Sequence, residues 1–263
     1  MLDPAAYEAI VVEHRPGGVA LATLDRPAKR NAVDGVLHHE LTTLWRDADA
    51  DERVRALVVT GAGPSFCAGG DFSPDAVPLG SRSGAGAIEE GRRIVDHLLE
   101  CRKPIIAAVN GHAMGLGATV ALLCDVVLAG RSAVFADTHV VLGIGAGDGG
   151  QLIWPLLVGV NRAKYHLMTG ERVDAEEAER IGLVLKVIDD DRLLDEALAL
   201  AGRLAAGPAQ AISASKMAVN AWMRSISATV LPISLALEEA TFATDEHREA
   251  VAAFREKRPP RFS

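Results

Sequence analysis

Cysteine is scarce in this sequence, and aromatic residues and long hydrophobic runs are scarce as well. The three cysteines among 263 residues form no CxxC pair, which leaves neither a dithiol redox motif nor a zinc motif. The most apolar segment, residues 104–131, is interrupted by Asn110, His112, Asp125 and four glycines, so it does not predict a membrane span. The N-terminus lacks a basic region followed by an apolar stretch, so we predict a cytoplasmic protein without a signal peptide.

An excess of positive charge is also lacking. The formal net charge of −8 and the isoelectric point near 5.5 argue against a nucleic-acid partner, which needs a basic face, and against an anionic membrane surface. Hydrophobic residues make up 49% of the chain but aromatic residues only 4%, a composition that suits close packing of helices on a sheet. A chain of this length buries roughly three quarters of its extended surface and needs no disulfides to fold.

Short β-branched runs alternate with helical patterns through the first two thirds of the chain, which predicts an α/β fold. The predicted strands are Gly18–Leu24, Ala56–Thr60, Ile105–Val109, Asp125–Leu128 and Ala133–Phe135. The predicted helices between them are Val36–Asp47 and Ala87–Cys101. After about residue 150 the pattern is mostly helical. We therefore predict an α/β core over residues 1–200 and a helical C-terminal region over residues 201–263.

Local signals mark several helix ends and one loop. Asp174, with Glu177 three residues later, predicts a capping box. Asp245 at the start and Arg255 near the end of the last helix complement the helix dipole. The segment 72–86 is rich in Pro, Ser and Gly and is predicted to be a surface loop.

Two glycine-rich turns, residues 61–71 and 110–118, each follow a predicted strand. Small residues let a ligand approach the backbone closely, and the second turn leads into a helix whose first N–H groups are free. Facing each other, the two turns would form an oxyanion site with two N–H donors. The alternative is that both are tight connections without a ligand. Neither turn fits a phosphate-binding loop, because no GK[ST] sequence follows.

These turns carry a family resemblance. Residues 65–72 (SFCAGGDF) and 110–117 (NGHAMGLG) resemble the two oxyanion-hole segments of the crotonase (enoyl-CoA hydratase/isomerase) superfamily. Residues 24–32 (LDRPAKRNA) resemble its CoA-contacting loop, residues 124–129 (CDVVLA) a core strand, and residues 254–262 (FREKRPPRF) its C-terminus. The resemblance implies an α/β fold, a crotonase-type spiral of ββα units with a helical C-terminal trimerisation region.

The resemblance also implies roles for individual residues. The thioester oxygen is expected on the backbone N–H groups of Ala68 and Leu116. The remaining residues that the resemblance assigns to acyl-CoA binding are Lys29, Arg30, Gly69, Gly70, Asp71, Thr119, Phe254 and Lys257, of which Phe254 and Lys257 are expected to reach the CoA of a neighbouring subunit. Lys29 and Arg30 also have the chemistry to bind phosphates, although a solvated basic surface is the alternative. Coenzyme A enters as part of the substrate, no cofactor is bound permanently, and a homotrimer or a dimer of trimers is expected.

The two glutamates that hydratases of the family use are absent. Thr119 stands at one of these positions and His139 at the other. A threonine hydroxyl cannot act as a general base near neutral pH. His139 can exchange a proton there, and we predict that Asp148 orients it as a catalytic dyad. The alternatives are that Asp148 caps the helix that follows it and that His139 is only packed.

The segment from His139 to Gly170 is similar to that of 6-oxocamphor hydrolase, a crotonase relative that cleaves β-diketones without CoA. The similarity implies a His and an Asp at these positions. That relative differs in having a further histidine at the position of Leu116, and it lacks the Ala-Gly-Gly run of residues 68–70.

Three functions follow from these residues. The leading prediction is an enoyl-CoA hydratase/isomerase-type enzyme that stabilises a thioester enolate. The alternatives are hydrolytic carbon–carbon cleavage of a β-keto or β-diketone substrate and a crotonase-fold binding module without activity. The sequence indicates no metal site, because no His, Cys or acidic residues show ligand spacing.

Overall fold

The computed structural model describes residues 1–262. The strands are β1 (Ile10–Arg15), β2 (Val19–Leu24), β3 (Ala56–Gly61), β4 (Ser65–Cys67), β5 (Ile105–Val109), β6 (His112–Met114), β7 (Val126–Gly130), β8 (Val134–Ala136), β9 (Val173–Asp174) and β10 (Lys186–Ile188). The helices are α1 (Gly35–Ala50), α2 (Ala87–Glu100), α3 (Leu116–Leu123), α4 (Gly150–Val158), α5 (Val160–Thr169), α6 (Ala175–Arg180), α7 (Leu193–Ala206), α8 (Ala209–Phe242) and α9 (Asp245–Glu256).

The predicted strands and helices are all present, with small shifts at their ends. Asp174 caps α6 by accepting a hydrogen bond from the Glu177 N–H at 2.9 Å. Thr244 caps α9, and Arg255 lies in its last turn. The sequence patterns did not predict the strands β1, β4, β6, β9 and β10. The strands β4 and β6 are three residues long and lie inside the glycine-rich turns, so they are too short to show alternation.

From β3 to β8, successive strands alternate between two sheets. The first sheet has the order β1-β2-β3-β5-β7-β10, and the second has the order β4-β6-β8-β9. The strands β3, β5 and β7 each lead into a short strand of the second sheet, and the neighbouring strands of these three units pair in parallel. This repetition is a spiral of ββα units, as expected. It brings the two glycine-rich turns, which contain β4 and β6, side by side.

The first sheet is covered on both faces, which explains its unbroken apolar strands. Every residue of β3 and β5 is buried. One face packs against α7 through Ala197, Ala201 and Ala205, and small side chains there let the helix approach closely. The predicted division at residue 200 falls inside α7, a helix of the core. The helical C-terminal region therefore begins at α8, after Gly207 and Pro208.

The helix α8 is an apolar element that extends over the core. Leu231 and Leu235 on α8 join the main hydrophobic core, so the C-terminal region is packed onto the α/β part rather than separate from it. No single helix in the described chain has both the length and the apolarity of a membrane span; only α8 and α9 taken together do, and they are bent by 69° at the break between them. All three cysteines are buried and free of disulfides.

Candidate functional site

The candidate site is a cavity where the two glycine-rich turns, the segment after β8 and helices α1, α2 and α8 meet. Its apolar walls are formed by Val33, Phe72, Leu79, Ala87, Ile88, Leu116, Leu142, Ile144, Leu235 and Phe242. The polar side chains that line it are His38, Thr138, His139, Asp148 and Glu238. An apolar cleft with a few converging polar groups is the usual form of a small-molecule site.

His139 lies between two aspartates in the wall of this cavity. The chain turns after β8 into a short 3-10 helix, His139–Leu142, which places the imidazole among buried residues. Its Nδ1 lies 2.7 Å from Oδ1 of Asp137, and its Nε2 lies 3.1 Å from Oδ2 of Asp148. The contact between His139 and Asp148 agrees with the sequence, which did not single out Asp137 as the second partner.

The two aspartates control the protonation of His139. Burial by itself would lower the pKa of the imidazole, but the charges of Asp148 and Asp137 outweigh burial and raise that pKa well above its usual range. This shift favours the protonated imidazole, in which each nitrogen donates a hydrogen bond to one aspartate. A protonated imidazole cannot accept a further proton. The direction of the shift therefore argues against the predicted role of His139 as a base.

Glycines allow the two aspartates to reach His139. A Cβ atom at Gly150, the first residue of α4, would overlap Oδ2 of Asp137, so that carboxylate lies against the N-terminus of a helix, where negative charge is favoured. Gly149 occupies the N-cap position of α4 with φ of 116°, and Asp148 forms no capping hydrogen bond. The alternative role of Asp148 as a helix cap is therefore wrong.

Glu238 on α8 is a site residue that the sequence patterns missed. It is 5% exposed, and its carboxylate has no hydrogen-bond partner among residues 1–262. Burial, followed by the charge of Asp148, raises the pKa of Glu238 to about 8, so the carboxyl is mostly protonated at neutral pH. A signal was present in the sequence: Leu231, Leu235 and Glu238 share the i, i+4, i+7 face of one helix, which places a glutamate on a buried stripe.

The fold also brings together three side chains that no sequence motif associates with a cation. One ligand atom from each of His139, Asp148 and Glu238 lies within 4.8 Å of the others. A metal would need the unprotonated imidazole nitrogen. The charges of Asp137 and Asp148 instead favour the protonated form of His139, and the raised pKa of Glu238 favours a protonated carboxyl. The arrangement therefore suits proton transfer better than metal binding.

The backbone N–H groups that are free at the cavity differ in part from the predicted oxyanion donors, Ala68 and Leu116. The Ala68 N–H donates to the Arg30 carbonyl at 3.0 Å, so it is occupied, and the assignment of Ala68 as an oxyanion donor is wrong. Gly69, with φ of 85°, interrupts the extended backbone after Ala68. Beyond it, the Gly69 carbonyl and the Asp71 N–H both bond to Val33. Gly70 between them faces the opposite side and lines the cavity.

Leu116, the other residue predicted to donate, has a free backbone N–H group. It is the first residue of α3, after the N-cap Gly115, so its N–H has no partner within the helix. Neither the Gly70 N–H nor the Leu116 N–H donates to an acceptor in the described chain. A Cβ atom at Gly115 would lie 3.4 Å from Cε1 of His139, so this helix end and the imidazole are neighbours. The two free N–H groups therefore face the same cavity as His139, Asp148 and Glu238.

The residues expected to bind CoA have different environments. Lys29 Nζ pairs with Asp75 at 2.9 Å on the surface, whereas the Arg30 side chain forms no hydrogen bond within the described residues. The Asp71 carboxylate accepts hydrogen bonds from Arg26 at 3.1 Å and from the Ser73 N–H at 3.0 Å, and it holds the loop together. The assignment of Asp71 to the substrate groove therefore does not fit its contacts.

The remaining predicted residues are Thr119, Phe254 and Lys257. Thr119 is fully buried, and its hydroxyl lies 3.5 Å from Oδ1 of Asp148, a long contact. Phe254 is 62% exposed on α9, and Lys257 ends that helix with a left-handed backbone. Neither Phe254 nor Lys257 lines the cavity of its own chain.

Known proteins are similar to this chain in sequence and in fold. Residues 14–263 match the Enoyl-CoA hydratase/isomerase family. The chain is 37% identical over 257 residues to a probable enoyl-CoA hydratase of Rhizobium meliloti, with 98% of each protein covered. It is 34% identical over 256 residues to the 1,2-epoxyphenylacetyl-CoA isomerase of Escherichia coli, with 96% of this chain and 98% of the isomerase covered.

A solved structure supports the same relationship. The crystal structure of an enoyl-CoA hydratase/isomerase from Mycobacterium paratuberculosis is 37% identical and superposes with a TM-score of 0.85, covering 93% of this chain and 97% of that one. The match extends over both the α/β core and the helical C-terminal region, which confirms the crotonase-type fold. The chain therefore belongs to the enoyl-CoA hydratase/isomerase family, and it is an enzyme of that family.

Proposed function

We propose that this protein acts on an enoyl-CoA thioester and stabilises the enolate formed from it. One observation carries the proposal: the free N–H groups of Gly70 and Leu116 line the same cavity as the buried side chains of His139, Asp148 and Glu238. Free N–H groups at a helix N-terminus stabilise the negative charge that develops on a thioester oxygen. The names of the relatives, which are hydratases and an isomerase of CoA thioesters, support this substrate class.

The electrostatics of the site support a division of roles among three side chains. Asp148 is the carboxylate that faces the cavity, and it accepts a proton. Glu238, whose raised pKa keeps it protonated, donates one. His139 remains an imidazolium that positions Asp148. Two neighbouring acids whose environments separate their protonation states are a general arrangement for acid–base catalysis.

These roles are sufficient for either reaction of the family. In isomerisation, Asp148 removes a proton from the carbon next to the thioester carbonyl, and the electron pair moves to the oxygen held by the two N–H groups. Glu238 then protonates a carbon further along the chain, and the double bond shifts. In hydration, Asp148 takes a proton from the water that attacks the double bond, and Glu238 protonates the carbon next to the carbonyl. Both schemes return the proton from Asp148 to Glu238 at the end.

Binding and turnover of acyl-CoA are the first test. We expect calorimetry to give a dissociation constant in the micromolar range for acetoacetyl-CoA. Arg30 is available to bind the phosphates, and Lys29 becomes available when it leaves Asp75. Mass spectrometry should show a hydrated or isomerised product from crotonyl-CoA or a longer enoyl-CoA. Affinity weaker than millimolar for every CoA ester would refute the proposal. Cleavage of a β-diketone without CoA would favour the hydrolytic alternative.

Assembly into a trimer or a dimer of trimers is a further expected result. The helices α5 and α8 expose large apolar side chains, including Met168 at 68%, Val160 at 61%, Ile233 at 59% and Trp222 at 57%. Exposed apolar surface of this kind is typical of an interface, and soluble oligomers usually have closed symmetry. Sedimentation at micromolar concentration should give the mass of three or six chains. A monomer would contradict this proposal and the expected contribution of Phe254 to a neighbouring site.

The protonated state of Glu238 predicts a pH-dependent effect of the variant Glu238→Gln. The pKa of Glu238 is raised in the folded protein, so its contribution to stability is present at low pH and is lost as pH rises towards about 8. Glutamine resembles the protonated carboxyl but cannot acquire a buried charge. We therefore expect Glu238→Gln to match the wild type in thermal unfolding near pH ~5 and to be the more stable protein near pH ~9.

The same variant has a kinetic consequence and a matched control. The wild-type kcat should fall as pH rises through about 8, because the donor loses its proton, and this decrease should be absent from the residual activity of Glu238→Gln. The control is Glu239→Gln, an exposed neighbour on the same helix, which should change neither property. An equal stability difference at both pH values would contradict the protonated state of Glu238.

A further inference from the structure

A second histidine–carboxylate pair faces the cavity and has no role in the proposed chemistry. His38 on α1 is buried at 3% exposure and lines the cavity. Its Nδ1 lies 2.7 Å from Oε2 of Glu90 on α2, which is fully buried. Nothing in the spacing of the sequence links these residues, because they belong to two different helices that pack against each other.

Glu90 holds His38 in one orientation. Burial opposes ionisation of Glu90, but hydrogen bonds from His38, Ser83 and His39 prevail and lower its pKa to about 2. The carboxylate is therefore charged, and it accepts the Nδ1–H of His38. The other nitrogen, Nε2, has no hydrogen-bond partner within residues 1–262. In that range, the fully buried side-chain atoms without partners are Trp45 Nε1, Asp137 Oδ2 and Trp154 Nε1. Since Nε2 of His38 is not one of them, it is not fully enclosed by protein.

The pair lies near the reacting groups but on a different helix from them. A Cβ atom at Gly91, the residue after Glu90, would lie 3.8 Å from Cβ of Asp148 and from Cδ2 of Leu235. Gly91 itself lines the cavity and leaves space there. The wall around it is apolar, with Ile88, Leu79 and Leu235. A single fixed imidazole nitrogen in an apolar wall would be left unpaired by a plain hydrocarbon chain, which disfavours such a chain.

We propose that Nε2 of His38 binds an oxygen-bearing substituent of the acyl group, so that the substrate is an oxygen-functionalised acyl-CoA rather than an unsubstituted one. The proposal rests on the proposed acyl-CoA function and specifies its substrate class. A hydroxyl, an oxo group or a carboxylate each has the required oxygen. The imidazole accepts a hydrogen bond from a hydroxyl, and its protonated form donates to an oxo group or a carboxylate. Glu90 is a positioning residue that acts through His38.

Two substitutions of His38 separate the cavity-facing nitrogen from the contact with Glu90. In His38→Asn the amide lies at the level of Nδ1, so it keeps the bond to Glu90 and removes Nε2. In His38→Gln the amide lies at the level of Nε2, so it restores a polar group in the cavity. His39→Asn is the matched control, because His39 binds the other oxygen of Glu90 at 3.2 Å but does not line the cavity.

The experiment compares hex-2-enoyl-CoA with its oxo, hydroxy and terminal carboxy derivatives. We expect the wild type to prefer at least one derivative by about tenfold or more in kcat/KM. His38→Asn should abolish that preference and leave hex-2-enoyl-CoA within about threefold of wild type. His38→Gln should retain part of the preference, and His39→Asn all of it. The derivative that is preferred identifies the substituent.

Other outcomes would overturn the inference. A wild type without preference would do so, as would an equal loss on all four substrates in His38→Asn, which indicates a purely structural pair. Calorimetry with the saturated esters gives the same comparison without turnover, and His38→Gln serves if His38→Asn does not fold. Failure of the preference with turnover intact would refute this inference alone. Absence of binding by every CoA ester would refute the proposed function together with it.

Discussion

Asp148→Asn is expected to lower kcat by about 10²–10⁴-fold, with little change in KM. The substitution keeps the size of the side chain but removes the carboxylate that accepts a proton at the cavity. It also removes one of the two charges that keep His139 protonated. Substrate affinity should be nearly unaffected, because the residues expected to bind CoA lie elsewhere. Steady-state kinetics on the substrate identified in the turnover screen measure the effect, and circular dichroism checks the fold.

Two further variants define what a loss of activity in Asp148→Asn means. Thr119→Val removes only a hydroxyl that lies 3.5 Å from Asp148, so it should cost little activity. Combining Asp148→Asn with His139→Ala should be scarcely worse than the more damaging single change, because residues that act as a unit are not additive. Near-full activity in Asp148→Asn would refute its role as the proton acceptor. Helix capping cannot account for a loss, because Gly149 is the N-cap of α4.

Leu116→Pro is expected to lower kcat by about 10²–10³-fold through the loss of one backbone donor. Proline has no N–H, and it is well tolerated at the first position of a helix, which is where Leu116 lies in α3. Proline disfavours α-helical backbone in the residue that precedes it. That residue is Gly115, and its φ of 50° and ψ of −124° lie outside the α-helical region. The variant therefore removes the donor and leaves the helix start intact.

Leu116→Ala is the matched control for this change. Leu116 is 6% exposed and lines the cavity, so either substitution removes a packed side chain, but alanine keeps the N–H group. The activity ratio between the alanine and proline variants isolates the contribution of the donor. Equal kcat values for two folded variants would contradict the oxyanion role of Leu116.

The donor proposed at Gly70, in place of the predicted Ala68, shows how a motif can indicate the right turn and yet be aligned to the wrong atom. The sequence around residues 65–72 indicates that the turn approaches a ligand, but it does not state which N–H is free. That depends on where the loop near Arg30 docks, because its carbonyl consumes the Ala68 N–H. Gly70 is free because Gly69 and Asp71 on either side bond to Val33. The docking is a contact between distant segments, and local sequence carries no record of it.

The protonation of the site shows a similar limit. His139 and Asp148 are nine residues apart, and their pairing could be predicted from that short segment. Asp137 and Glu238 change the chemistry of the pair, because one adds negative charge at Nδ1 and the other brings a protonated carboxyl beside it. Glu238 arrives on a helix from the C-terminal region, and its pKa depends on burial that only the folded chain produces.

The sequence by itself determined the α/β class, the order of the strands with helices between them, the family and the presence of two glycine-rich turns beside a histidine. These features follow from local periodicity and from short motifs, which depend on neighbouring residues. The tertiary structure alone decided which N–H groups are free, that two aspartates raise the pKa of His139, and that Glu238 and His38 share its cavity. Those properties depend on burial and on charges brought together from distant parts of the chain, because the energy of a charge or a hydrogen-bonding group is set by what surrounds it after folding.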